Sequence, residues 1–220
     1  MAVHITLTIR EQVYNYIKQA IYNGELQPGD WVSEQHFAEV LNVSRSPIRE
    51  AIKQLIGDGI LVDIPNKGCY VRKIEWQEYL DIVEVREMLE LYSVRNVVKN
   101  LTPELEADFR AIDVHFQEGH ELCSTKQYLE YDYQLHDLIV KNSNNDIVLR
   151  FYSYLRFLTN CFRLIALRDP NRYESSCREH SEIIRFILLR DADGAVNAMK
   201  NHLQLTIHSA GEFADRFSNA

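Results

Sequence analysis

The chain is poor in the features that mark whole classes of protein. Its 220 residues contain four cysteines, Cys69, Cys123, Cys161 and Cys177, scattered without paired metal-ligand spacing. A disulfide framework would be unusual at this length, so free thiols in a reducing, cytoplasmic setting are expected. No run of roughly eighteen apolar residues occurs, so neither a membrane span nor a membrane partner is predicted. The opening MAVHITLTIREQVYNYI has neither the basic flank nor the apolar block of a secretory signal. Repeats and low-complexity stretches are absent as well. So is an excess of positive charge: 24 Lys and Arg face 32 Asp and Glu, for a net charge of -8. That excludes a broadly basic nucleic-acid coat but not a local positive patch. The deficit is uneven, with 7 basic against 8 acidic residues over 1–72 and 17 against 24 over 73–220.

What is present begins with a short helical array. Residues 8–23 are predicted as a helix, with Thr8 as cap, Glu11 in capping-box position and an apolar stripe of Ile9, Val13, Tyr16, Ile17, Ala20 and Ile21. Gly24 ends it, and Gln27-Pro28-Gly29-Asp30 predicts a turn. Ser33 opens a second helix that buries Phe37, Ala38 and Leu41. Asn42 and Val43 interrupt it, and Ser44 opens a third helix with Pro47 in its first turn, where a missing amide hydrogen costs little. This helix runs to about Asp58, burying Ile48, Ile52, Leu55 and Ile56, and Gly59 closes it. On its other side Arg45, Arg49 and Lys53 recur every four residues. Two short strands, 60–62 and 69–71, then flank a turn that carries Lys67. Helices meeting at a tight break, the second of them basic, followed by a basic-tipped hairpin, predict a winged helix-turn-helix. Long donors on such a face reach phosphates or guanine edges in the major groove. Taken by itself, the basic stripe is equally well a solvated helix face.

The segment GELQPGDWVSEQHFAEVLNVSRSPIREAIKQLIGDGILVDIPNKGCYV resembles the winged helix-turn-helix of GntR-type regulators. Its most specific parts are Gly24 with Pro28-Gly29, the run Ser44-Arg45-Ser46-Pro47-Ile48-Arg49-Glu50-Ala51, and Gly59 followed by Gly68. The resemblance implies that Arg45 and Arg49 meet bases or adjacent phosphates. It further implies that Ser44 and Ser46 touch the backbone and that Lys67 or Gly68 enters the minor groove, with Lys53 on the same basic face. One departure stands out. Glu34, Gln35 and His36 occupy the start of the second helix, where many members carry a basic residue.

From Trp76 onward strand-like runs disappear. Helices are predicted near 76–99, 102–122, 125–141, 145–167, 174–190 and 193–213, with breaks at Asn142–Asn145, Asp169-Pro170 and Asp191–Gly194. The expected fold class is mainly α: a winged helix-turn-helix domain over 1–75, then an all-α antiparallel bundle over 76–220. Polar residues intrude on the apolar faces of that bundle. Asp132 and His136 emerge side by side from one helix. His180 precedes Ile183, Ile184 and Ile187, and His202 lies in line with Ala195, Met199, Thr206 and Ala210. One carboxylate and three imidazoles meeting in a bundle centre suit one divalent metal, zinc by default, with nickel or another first-row ion also compatible. Spacing alone leaves open that these histidines merely satisfy local hydrogen bonds.

Residues 80–213 are similar to the all-α FCD ligand-binding domain of the FadR-like subgroup of GntR regulators. The matching pieces are Arg86-x-x-x-Glu90, Asp132-x-x-x-His136 with Asn145, Glu179-His180 and Met199-x-x-His202-Leu203. In metal-binding members of six-helix type the Asp and three His at these places hold the ion, which helps to bind small organic acids. Arg86 shares a face with Ile82, Val85 and Leu89, where an unpaired charge would be costly. Two roles are open to it: an ion pair with Glu90, or a clamp on an effector carboxylate. Arg156 and Arg163, seven residues apart, are further candidates for that pocket.

These readings converge on a homodimeric DNA-binding regulator, expected to be a repressor of a palindromic operator and modulated by a small organic acid at the metal pocket. No enzymatic role is expected. Two alternatives are a metal-dependent hydrolase, disfavoured because no separate general base is evident, and a structural metal site without an effector.

Overall fold

The computed structural model describes residues 7–118, 125–166 and 170–218. The chain divides into two compact units, residues 1–75 and 76–220.

In the first unit, α1 (Ile9–Tyr22), α2 (Glu34–Leu41) and α3 (Arg45–Gly57) precede a hairpin of β1 (Leu61–Ile64) and β2 (Gly68–Val71). The capping box at the start of α1 is formed as expected: the Glu11 amide donates to the Thr8 hydroxyl, and the Thr8 amide donates to the Glu11 carboxylate. Ser33 caps α2 by accepting from the His36 amide. Asn42 ends α2 in the left-handed region at φ 50°, which a short polar side chain tolerates better than a branched one. That one residue makes the tight break and turns the chain into α3. The core gathers Val13 and Ile17 from α1, Phe37 from α2, and Ile48, Ala51, Ile52 and Leu55 from α3. Tyr14 donates to Asp58, tying α1 to the end of α3.

The two strands pair antiparallel, Leu61 opposite Val71 and Ile64 opposite Gly68, each one residue longer than the apolar runs suggest. Gly68 is needed here twice over. Its φ is 102°, and a Cβ at this position would sit 3.0 Å from the Trp31 indole nitrogen.

The second unit is α-helical throughout its described residues: α4 (Trp76–Lys99), α5 (Pro103–Glu118), α6 (Thr125–Lys141), α7 (Asp146–Ala166), α8 (Pro170–Leu188) and α9 (Ala192–Ser218). The mainly α class expected from periodicity is therefore what the chain adopts. The boundaries shift, however. α8 starts at the proline, which fits a first turn because its missing N–H is an orphan there anyway. α9 runs five residues further than its apolar stripe predicts. The expected extension of α5 to residue 122 lies outside the described residues.

The core of this unit joins Val94, Val97 and Val98 of α4, Phe109 of α5, Leu135 and Ile139 of α6, Ile183, Ile184 and Ile187 of α8, and Ala195, Met199 and Leu203 of α9. No helix among the described residues is long and apolar enough to cross a membrane.

Candidate functional site

On α3 the apolar side points inward and the charged side faces solvent. Arg45, Ser46, Arg49 and Lys53 are exposed, as is Lys67 at the hairpin turn, while Gly68 opens β2. Ser44 is the N-cap residue of α3, yet its hydroxyl makes no capping hydrogen bond. The structure thus brings the expected DNA-facing residues onto the exposed side of α3 and the hairpin turn. It adds one contact that the sequence did not disclose: Arg49 is paired with Glu34 of α2, Nη2 lying 3.0 Å from Oε2.

The second unit holds the polar centre. Asp132 and His136 come from α6, His180 from α8 and His202 from α9, and all four are buried. One ligand atom from each lies within 4.8 Å of all the others. Asp132 Oδ1 is 3.2 Å from His180 Nε2 and 3.8 Å from His136 Nε2. The His180 and His202 ring centroids are 4.4 Å apart. Donor atoms around one tetrahedral ion lie about 3.4 Å apart, so this set could seat a single ion after closing inward. Among the described residues the His136 Nε2 atom has no hydrogen-bond partner, although it is fully buried. Such an atom in the core is costly, and a divalent cation is the partner that an acceptor nitrogen beside a carboxylate suits. The donor set therefore fits a divalent metal.

Two histidines are oriented from behind. His136 Nδ1 makes a short contact with Glu90, and Glu90 is gripped by Arg86 at 2.5 Å. His202 Nδ1 is 2.8 Å from Glu179 Oε2, and Glu179 receives both terminal nitrogens of Arg172 at 2.8 and 3.0 Å. Arg172 also donates to Thr206. Each ring is thus held at Nδ1, which leaves Nε2 for the centre, an arrangement typical of carboxylates standing behind histidine ligands.

The two carboxylates differ electrostatically. Burial pushes Glu90 upward, but Arg86 and His136 more than offset this and hold it down at about 2. For Glu179 burial prevails over Arg172, and its carboxyl is raised.

Arg86 forms the ion pair with Glu90 that was one of its two open roles. Its neighbours differ from expectation, since Val85 is turned to solvent. Arg156 is also buried. Its guanidinium lies 3.2 Å from the Tyr133 ring centre, and Nη1 is 3.6 Å from Asp137 without hydrogen bonding. Both guanidiniums flank Tyr152, at 5.6 Å for Arg86 and 5.5 Å for Arg156. The Tyr152 hydroxyl is buried with no hydrogen-bond partner among the described residues, and burial raises its phenol, so it stays protonated. The Arg163 side chain lies outside the described residues.

Sequence reasoning missed Arg172 entirely, gave Glu90 only an ion pair with Arg86, and assigned neither Glu90 nor Glu179 to a histidine. The seven-residue spacing of Arg172 and Glu179 on one helix face was an available signal. The reach of Glu90 to His136 across 46 positions was not.

Comparison with known proteins matches these two units separately. Residues 9–71 match the family described as bacterial regulatory proteins, gntR family, and residues 81–205 match the FCD domain. The HTH-type transcriptional repressor RspR of Escherichia coli is 24% identical over 202 residues, covering 90% of this chain and 87% of its own. The E. coli McbR/YncC structure superposes with a TM-score of 0.83 at 22% identity, over 94% of this chain and 99% of the other. The Zn2+-bound FCD domain of TM0439 matches with a TM-score of 0.53 at 23% identity, over 63% of this chain and 94% of that one. With a GntR-type winged unit, an FCD-type helical unit and a buried Asp/His cluster able to coordinate a divalent metal, the chain belongs to the GntR/FCD family of transcriptional regulators, not to a family of enzymes.

Proposed function

We propose that the chain is a cytoplasmic, homodimeric repressor of the FadR-like subgroup, with residues 1–75 binding a palindromic operator and residues 76–220 sensing a small organic acid. The observation that carries the sensing role is the buried set Asp132, His136, His180 and His202, connected through Glu90 to Arg86 and thence to Tyr152 and Arg156. These four side chains would hold one divalent ion, zinc by default given three imidazoles and a carboxylate. When bound, the ion supplies a positive centre that attracts carboxylate oxygens. Arg86 retains N–H donors beyond the one given to Glu90, Arg156 has an unused buried donor, and Tyr152 keeps its proton. Together they suit an anionic ligand better than a neutral one.

On the DNA side, Arg45, Arg49 and Lys53 supply charged donors. Ser44 and Ser46 are placed to meet phosphates, and Lys67 and Gly68 offer a basic, side-chain-poor turn to the minor groove. Two-fold assembly is supported by an exposed apolar face on the packed pair α4 and α7. There Met88 is 66% and Phe151 61% exposed, beside Val85, Tyr92, Ile147 and Tyr154. Exposed apolar residues recurring along a face of each helix suit an interface between protein chains. The similarity to the repressor RspR and to the zinc-bound FCD domain of TM0439 points the same way.

A second reading is favoured by one contact. Arg86 is already engaged by Glu90 at 2.5 Å, as it would be if the ion only braced the bundle.

The test is metal analysis of protein purified without chelator. Calorimetric titration of loaded and chelated protein with di- and tricarboxylates and sugar acids follows, with gel shifts run alongside. Acid binding that requires the ion and changes DNA affinity supports sensing. A loaded protein indifferent to every acid supports the brace. A metal-free protein that resists reconstitution refutes both.

A further inference from the structure

The ion pair between Arg49 and Glu34 joins the exposed face of α3 to the first residue of α2, and its geometry is informative. Arg49 Nε lies 3.1 and 3.3 Å from the two Glu34 oxygens, and Nη2 lies 3.0 Å from Oε2. The carboxylate therefore grips the side edge of the guanidinium, formed by Nε and Nη2. The end edge, formed by Nη1 and the second hydrogen of Nη2, is left open, and the Arg49 side chain is 57% exposed.

That open edge is the fork that matches O6 and N7 of guanine in the major groove. A free arginine of this length samples many rotamers, and holding the fork in one of them lowers the ordering cost of reading a base. A carboxylate gripping the end edge would instead compete with the base for the same donors. Glu34 is well placed for the first role, because it is fixed at the start of a capped helix.

We propose that Glu34 is a positioning residue for sequence readout: it holds Arg49 by its side edge and so presents the guanidinium fork to a guanine in each half-site. The proposal rests on the DNA-binding reading above, and its signature is a loss of discrimination without a matching loss of general affinity. Removing one negative charge from the face should leave binding to arbitrary DNA unchanged or somewhat tighter.

The experiment uses the full chain and a randomised duplex library, from which wild type, E34Q, R49A and the double variant each enrich sequences. The wild-type site and its single-base replacements are then compared in competition titrations. Wild type should prefer one guanine roughly ten- to hundredfold over other bases, and R49A should lose that preference. In E34Q the preference should shrink to within about threefold of neutral while affinity for unrelated duplex is kept, and E34Q should change nothing further in the R49A background.

Full guanine preference in E34Q overturns the proposal, as does an equal weakening of E34Q on every sequence, or an R49A effect that is the same at all bases. A wild-type chain that enriches no sequence overturns the DNA-binding reading and this inference with it. The other refuting outcomes leave that reading intact.

Discussion

Replacing Arg86 by Met should destabilise the helical unit severely, and replacing Glu90 by Gln in the same molecule should relieve most of the damage. Both side chains are buried, at 3% and 0% exposure, and they touch at 2.5 Å. With charge centres about 4 Å apart and an effective dielectric of about 20, their attraction is about 4 kcal/mol. Removing one member of a buried pair costs about 3–5 kcal/mol, because the other charge is left in the core. R86M and E90Q should each fall in that range. The double variant removes both charges and should cost less than about 2 kcal/mol, leaving a coupling of several kcal/mol. Urea titrations of the full chain followed by far-ultraviolet ellipticity, in chelator so that metal occupancy does not vary, give these values.

The pH response supplies an independent check. In wild type the Glu90 carboxyl is held at about 2, against an ordinary 4.5, so its contribution is complete above about pH 4.5 and is lost as pH falls towards 2. In R86M the chief opposing charge is gone and burial pushes the carboxyl upward. Stability in that variant should then fall as pH rises above 4.5. Additive single and double effects, or an R86M cost below about 1 kcal/mol, would refute the account of a coupled buried pair.

Further outcomes are expected for DNA, metal and assembly. Arg45→Ala and Arg49→Ala should each weaken specific DNA binding by about 1–3 kcal/mol where the lost contact is bidentate to a base. Lys67→Ala should mainly flatten the salt dependence, and gel-shift titrations at several salt concentrations check both. His180→Ala should lower metal content in plasma emission analysis while sparing basal DNA binding. Wild-type metal affinity should fall as the medium is made acidic, because imidazole must be deprotonated to ligate. Met88→Glu with Phe151→Glu places charge on the exposed apolar face of α4 and α7 and should shift sedimentation equilibrium towards monomer. Unchanged association would remove that face from the dimer.

Much of the fold was legible because local rules and burial agree. Thr8 and Ser33 cap the helices they precede, Asn42 sits at the break, and the valine, leucine and isoleucine stripes of α3, α6 and α8 face inward as their periodicity requires. The four candidate ligands were legible for the same reason: each polar residue interrupts an apolar stripe, so its helix aims it at the core. What stayed hidden depends on distance in sequence. The links from Glu90 to His136, from Arg172 to Thr206 and from Arg49 to Glu34 join different helices, and no period within one helix encodes them. Element ends were the other weak point, because the apolar stripe of α9 fades before the helix does.

The four candidate ligands are between 0% and 3% exposed, and that enclosure bears on time as well as on affinity. Burial this deep would slow an ion's arrival and departure, because both wait on local movements of α6, α8 and α9. Such openings become rarer as local stability rises, roughly tenfold for each 1.4 kcal/mol. A protein built this way would exchange its ion slowly, on the schedule of its own breathing.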